Sequence, residues 1–265
     1  MSAVIKLSSP ATRQFWEIPV LFEDDHLLAL DKPAGLPVSP DPIAPERPSL
    51  MQLLHDAIAA GKPWARERNL TYLANAHRLD LETSGVLLLA RNKPALIALA
   101  DQFGSEKAVR KYVALVQGVP LDGQFSVAEK IAPHPLKAGL MRIDSRGGKK
   151  ATTEFAVREQ FSRWALLACA PQADRPQQVR LHLSHAGFPV VGDEWHGGKQ
   201  LWLSRMKQNF RLKPGREERP LISQPALHLE ELSVKHPVAN DTVTIKSEWP
   251  KTLRVAVKYL RQYAA

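Results

Sequence analysis

The chain lacks most of the features that would assign it to several large protein classes. Only one of its 265 residues is cysteine, Cys169, so no disulfide can close within the chain and a disulfide-stapled secreted scaffold is excluded. Its longest apolar runs, such as Trp164 to Ala170, fall far short of the roughly 20 residues that a membrane-spanning helix needs. The amino-terminal stretch MSAVIKLSSPATRQFWEIPV has no continuous apolar core of the signal-peptide kind. A reducing, cytoplasmic home with no membrane association is therefore expected. No segment repeats at a fixed period and no low-complexity linker divides the chain, which argues against solenoids and arrays. There is no glycine-rich nucleotide loop and no Asp-Phe-Gly segment, so a kinase is excluded even though His77-Arg78 stands ahead of an aspartate. Acidic residues are also in deficit: 27 Asp and Glu face 36 Lys and Arg, a net charge of +9. Such a surface attracts polyanions in a salt-dependent way, and nucleic acid is the natural partner.

What is present is enough for a substantial core, since 44% of the residues are hydrophobic. Apolar runs predict strands at Val20 to Glu23, Leu27 to Asp31, Gly85 to Arg91, Val109 to Gln117, Thr152 to Arg158 and Trp164 to Ala170. Helices are predicted from Ser49 to about Ala60, from Asn92 to about Phe103, from Val179 to His185 with Gly187 ending it, and from about Thr252 to Tyr263. A mixed sheet with helices follows, read as a short leader over residues 1–17 and one main domain over 18–265.

Two stretches read as working loops. Asp31 to Pro48 holds Pro33, Pro37, Pro40, Pro42, Pro45 and Pro48, which suits a stiff surface excursion better than a buried element. Lys199 to Arg219 interleaves Lys199, Arg205, Lys207, Arg211, Lys213, Arg216 and Arg219 with Trp202 and Phe210. Cations among aromatics suit phosphate contact and base stacking, and equally a solvated loop with two rings tucked inward.

The most informative segment is His77-Arg78-Leu79-Asp80-Leu81-Glu82-Thr83-Ser84-Gly85, running directly into Val86-Leu87-Leu88-Leu89-Ala90. A polar cluster that feeds a buried strand displays its side chains at a sheet edge. Gly85 permits a sharp turn into that strand, and Thr83 and Ser84 can tie the loop to its own backbone. The cluster offers a carboxylate beside an arginine; it reads equally as a turn capped by Asp80.

This segment resembles the His-Arg-Leu-Asp-x-x-Thr-Ser-Gly motif of the RluA-type RNA pseudouridine synthases at all seven specified positions. Lys32-Pro33-Ala34-Gly35-Leu36 resembles the loop that flanks the family's cleft, and Lys111 to Gly118 resembles the strand that carries its tyrosine. Gln178-Val179-Arg180-Leu181-His182 and Gly187 to Asp193 resemble the basic motif and the turn after it, and Ala226-Leu227-His228 and His236-Pro237 follow in family order. The resemblance implies an α+β fold, a mixed and largely antiparallel bent sheet flanked by helices with a catalytic cleft along it. It implies a catalytic trio of Asp80, Tyr112 packed on the uracil, and Arg180 paired with the aspartate. Arg78 matches the arginine that fills the gap left by the extruded nucleotide. Around these, His77, Thr83 and Lys32, with Lys199 and Arg205 farther along, are expected to contact substrate. The partner would be tRNA or rRNA, a monomer would suffice, and no separate S4-like module is expected.

The implied chemistry breaks the N1–C1′ bond of a uridine, turns the base, and rejoins it through C5. Uridine and pseudouridine are isomers, so neither cofactor nor metal is called for. A carboxylate can add to C1′ or remove the 2′ proton, and either requires it ionised beside a guanidinium. A zinc site at His182, His185 and His196 and a glycosidase pair of Asp80 with Glu82 are the weaker readings. A protein on the same scaffold that binds or folds RNA without turnover is the alternative from another class. Departures from the family pattern are Pro176 and Gln177 where Thr and His are usual, Arg110 for Lys, Phe188 for His, and His196 for Tyr.

Overall fold

The computed structural model describes residues 3–212 and 215–265, so Lys213 of the basic stretch lies outside the described residues. At the amino terminus the expected leader is a strand. Val4–Ser9 (β1) alternates partly exposed or exposed with buried residues, with Ile5 and Leu7 in the core, and pairs antiparallel with Gln14–Glu23 (β2) from Val4 opposite Pro19 to Ser9 opposite Gln14. With only Ile5 and Leu7 buried among the apolar residues of a six-residue strand, the pattern is too short to declare itself in the sequence.

The chain divides into two units, Met1–Arg110 with Leu229–Glu248 and Lys111–His228 with Trp249–Ala265. A single domain was expected because no linker marks the division. Two of the three passages from one unit to the other lie inside Val109–Gln117 (β6) and Leu227–Lys235 (β11), where regular strand leaves no Pro/Gly signature; the third falls between Glu248 and Trp249.

In the first unit β2 pairs with Leu27–Lys32 (β3), β3 with Ser84–Ala90 (β5), and β5 neighbours β11; Ala74–Asn75 (β4) adds to β5 and Thr242–Lys246 (β12) to β11. Every residue of β5 is buried, as its unbroken apolar run requires. Leu50–Ala59 (α1) begins where expected, Ser49 Oγ accepting from the Gln52 N–H at 3.3 Å, and Pro63–Glu67 (α2) follows. Lys93–Gly104 (α3) is capped by Asn92, whose Oδ1 accepts from Ala95 N–H at 3.0 Å. The proline-rich stretch has no regular element, but its first part is not a surface excursion: Leu36, Pro37 and Val38 are buried.

In the second unit the strand order is β6, Trp164–Pro171 (β10), Lys149–Gln160 (β9), Gln124–Pro133 (β7) and Met141–Ile143 (β8), all antiparallel. Gln178–His185 (α4) carries the basic motif, and Leu181 packs with Ile131 and Ala151 from β7 and β9. Lys251–Tyr263 (α5) buries Leu253, Ala256, Val257 and Leu260 along one face of the helix predicted there. The protein is α+β and largely antiparallel. Among the described residues no helix is long and apolar enough to cross a membrane.

Gly85 is the tightest constraint in the first unit. Its φ is +118°, and a Cβ there would stand 2.2 Å from the Leu229 carbonyl oxygen on β11. Gly85→Ala should therefore lower stability by about 3 kcal/mol or more. Gly187, at φ +86° with nothing within 4 Å of a Cβ, should cost only about 1–2 kcal/mol on the same change. Thermal melting of the two variants checks this; equal losses would mean that backbone conformation alone, not the approach of β11, demands Gly85.

Candidate active site

The loop ahead of β5 is built on a tight turn. Thr83 N–H donates to the Asp80 carbonyl at 3.1 Å, which puts Asp80 at the first corner of the turn, and Gly35 N–H donates to the Leu81 carbonyl at 2.9 Å from the facing loop. Beneath both loops lies Lys32. It has no solvent exposure, and its ammonium donates to the carbonyls of Leu36 at 2.8 Å, Pro33 at 2.9 Å and Leu81 at 3.2 Å. Lys32 was expected at the substrate; its three donors are instead given to backbone, so its work is to clamp the two loops together. Burial pushes its pKa down to about 7, against the opposing attraction of Asp80, Glu82 and Asp31. The cation thus sits within electrostatic reach of the Asp80 carboxylate.

Asp80 is half-buried and Arg78 is exposed. His77 and Thr83, also expected at substrate, are buried. His77 Nε2 accepts from Leu88 N–H at 3.0 Å, and its ring stacks on Phe103 with centroids 4.9 Å apart. The Arg110 guanidinium lies 6.0 Å from the centroid of the same Phe103 ring. The His77 side chain supports the loop from within; what the sequence made look like a polar display is in part scaffold. No signal in a single sequence separates the two roles.

In the second unit Tyr112 is 8% exposed on β6, in register with Cys169 of β10. Arg180, on the first turn of α4, is 3% exposed, and its Nε and Nη2 each donate to an Asp193 carboxylate oxygen at 2.7 Å. His196 Nδ1 lies 3.0 and 3.1 Å from the same two oxygens, and the Ser184 hydroxyl fixes the turn by donating to the His196 carbonyl at 2.7 Å. Burial would raise the Asp193 carboxyl, but the hydrogen bonds from Arg180 and His196 overcome it and hold the pKa at about 2. Sequence reading placed Asp193 only in a turn motif and missed it as Arg180's anchor. The signal available was an acid 13 residues downstream of the arginine beside a glycine that forces a turn.

Other chain-specific residues also have defined places. Gln177 adopts φ +56° ahead of α4, and its side chain bridges to the loop before β8, accepting from Met141 N–H at 3.0 Å and donating to the Gly139 carbonyl at 2.6 Å. His182 is buried, with Nδ1 2.9 Å from Thr153 Oγ1, and burial followed by the neighbouring His185 lowers its pKa to about 4. Among the described residues no three His, Cys, Asp or Glu side chains converge to hold a metal. Lys199 and Arg205 are exposed on the segment that follows Asp193.

The sequence profile described as RNA pseudouridylate synthase matches residues 26–185. The chain is 32% identical over 268 aligned positions to the ribosomal large subunit pseudouridine synthase D of Xanthomonas campestris, covering all of this chain and 76% of that one. It is 30% identical to the ribosomal large subunit pseudouridine synthase C of Escherichia coli, over 91% of this chain and 70% of that one. Among solved structures, human RNA pseudouridylate synthase domain containing 4 superposes with a TM-score of 0.67 at 22% identity, over 91% of this chain and 92% of its own.

Two outcomes are expected of the buried charges. Asp193→Asn should cost about 3–5 kcal/mol by removing the anion from Arg180's two hydrogen bonds. A depressed carboxyl stabilises above its unfolded pKa of about 3.9 and loses that contribution as pH falls through about 2, so the gap between wild type and Asp193→Asn should narrow over that acid range. Lys32 has the same slope in a different window: the unfolded chain holds a proton that the folded one sheds above about pH 7, so its contribution should rise from pH 7 toward 10. Denaturant titrations of wild type and Lys32→Met at pH 7 and 9.5 check this, and a gap that shrinks with pH would contradict it.

Proposed function

The chain belongs to the RNA pseudouridylate synthase family, whose members isomerise uridine to pseudouridine in RNA, and on that premise we propose that Asp80 is the carboxylate that acts on the ribose of the target uridine. The observation that carries this reading is the turn at Asp80. A half-buried carboxylate stands at its first corner, the next residue's carbonyl is gripped by a buried ammonium, and the strand behind cannot shift because Gly85 is closed against β11. A group that must meet C1′ or the 2′ proton of an extruded nucleotide within a few tenths of an ångström needs such a mounting.

Tyr112 is the ring on which the detached uracil rests, and its hydroxyl is suited to the last proton transfer from C5. Arg180 is the guanidinium that the family resemblance assigns to the catalytic group. Its grip on Asp193 through Nε and Nη2 supports this by fixing the plane of the fork in advance. Arg78, exposed beside Asp80, enters the space that the flipped nucleotide leaves in the RNA. The reaction keeps every atom: the glycosidic bond passes from N1 to C5 and one proton moves from C5 to N1.

The substrate is RNA of the large ribosomal subunit rather than tRNA, a reading supported by the names of the relatives at about 30% identity. An RNA substrate and a lone buried Cys169 support a cytoplasmic location, and one chain carries all the groups named, so a monomer suffices. Asp80→Asn should lose roughly 10³-fold or more in pseudouridine formation on large-subunit rRNA while still binding it. Arg180→Ala should lose more in turnover than in RNA affinity. Wild-type protein that binds RNA tightly yet yields no pseudouridine would favour a binding or folding protein on this scaffold.

A further inference from the structure

The turn that anchors Arg180 continues into a recess that the isomerisation itself does not use. Glu194, Gly198, Lys199, Gln200, Trp202 and Arg205 line a surface cavity of about 430 Å³, within the size range of small-ligand clefts. Gly198 makes it possible, since a Cβ there would fall 1.8 Å from the Val190 carbonyl oxygen. Its polar groups are unevenly committed. Gln200 donates to the Glu194 carboxylate at 3.0 Å, which occupies the one acid of the lining. The Lys199 and Arg205 side chains are exposed and make no ion pair with a described residue, and the indole of Trp202, half-buried, makes no hydrogen bond or ring contact with one. A second cavity, of about 820 Å³, is lined further along the same segment by Phe210, Leu212, Arg216 and Arg219 among others. From Glu194 to Arg219 seven Lys and Arg stand against three Glu, so this short stretch carries a large part of the chain's net +9.

We propose that this recess is a nucleotide subsite for single-stranded RNA flanking the target uridine, with one base stacked on Trp202 and the adjoining phosphates held by Lys199 and Arg205. The proposal rests on the pseudouridine-synthase reading for the identity of the RNA. A flat ring with two uncommitted cations beside it is the minimal apparatus for sequence-tolerant stacking plus phosphate neutralisation. A protein partner would instead call for apolar closure, and this lining offers one aromatic ring amid polar groups. Location supplies the functional link: Glu194 follows directly on Asp193, the residue that clamps Arg180, so a nucleotide seated here is registered against the helix that carries the arginine.

Equilibrium binding of an unstructured oligouridine of about ten nucleotides, read alongside pseudouridine formation on large-subunit rRNA, tests it. Trp202→Ala should weaken oligonucleotide binding roughly five- to a hundredfold, and Trp202→Phe, which keeps a stacking face, should restore most of it. Lys199→Ala with Arg205→Ala should lower the slope of log affinity against log salt by about 1.4, the change expected for two phosphates on a single strand. Turnover at saturating rRNA should fall less than affinity in each variant, with circular dichroism unchanged. If all variants bind as wild type does, or if Trp202→Phe is as weak as Trp202→Ala, the subsite is overturned while the enzymatic reading stands. If binding depends on these residues but wild type forms no pseudouridine, the subsite stands and the enzymatic reading falls.

Discussion

The ammonium of Lys32 is the contact on which the first unit's functional surface depends. It is wholly removed from water and gives its three hydrogen bonds to three backbone carbonyls, two in its own loop and one in the turn that carries Asp80. Burying a cation is costly, and the lowered pKa reflects that cost. The cost is offset only while all three carbonyls and the nearby carboxylates are in place, so the loop at Pro33 to Leu36 and the turn at Asp80 to Thr83 hold their shapes together or not at all. A loop that positions a reacting group is normally the most mobile part of a fold. Here a single long side chain reaching through both loops gives them the rigidity of the core.

A similar economy operates in the second unit, where the Asp193 carboxylate receives two bonds from Arg180 and lies close to His196 Nδ1. Two hydrogen bonds along one edge of the fork fix the plane of the guanidinium without using its whole donor set. His196 stands where the family commonly has tyrosine. Its ring nitrogen lies within hydrogen-bonding distance of both oxygens of the carboxylate that orients Arg180. Gln177, another departure, links the start of α4 to the loop before β8, so the helix that bears Arg180 is tied down from both ends of its first turn.

Chain-specific character is thus concentrated around α4 and the turn after it, whereas the Asp80 loop keeps the family's residues at every specified position. That division suits a family with one chemistry and many RNA targets. The groups that meet the ribose have one geometry to satisfy, while those that meet flanking nucleotides need only suitable charge and a flat surface.

The sequence by itself determined the elements with strong local codes. Ser49 and Asn92 cap helices where their side chains predicted, β6 spans Val109 to Gln117 as its apolar run required, and the motif at Asp80 identified the chemistry. It failed where the signal lies in what a residue touches. β1 was read as a leader because its alternation spans only a few residues. β7 and β11 were missed because charged residues sit on their partly exposed positions and β12 because it spans only five residues, and the division into two units left little mark because two of its three crossings lie inside strands. Lys32, His77 and Thr83 looked like substrate contacts because polar residues beside a catalytic motif ordinarily face solvent. Only the tertiary structure could assign them to the interior, since the carbonyls that satisfy Lys32 include one 49 positions away, and the anion that anchors Arg180 stands beyond the helix that bears it. Local sequence encodes backbone preference and periodicity; the partner of a buried charge is decided by which distant backbone the fold brings within hydrogen-bond reach.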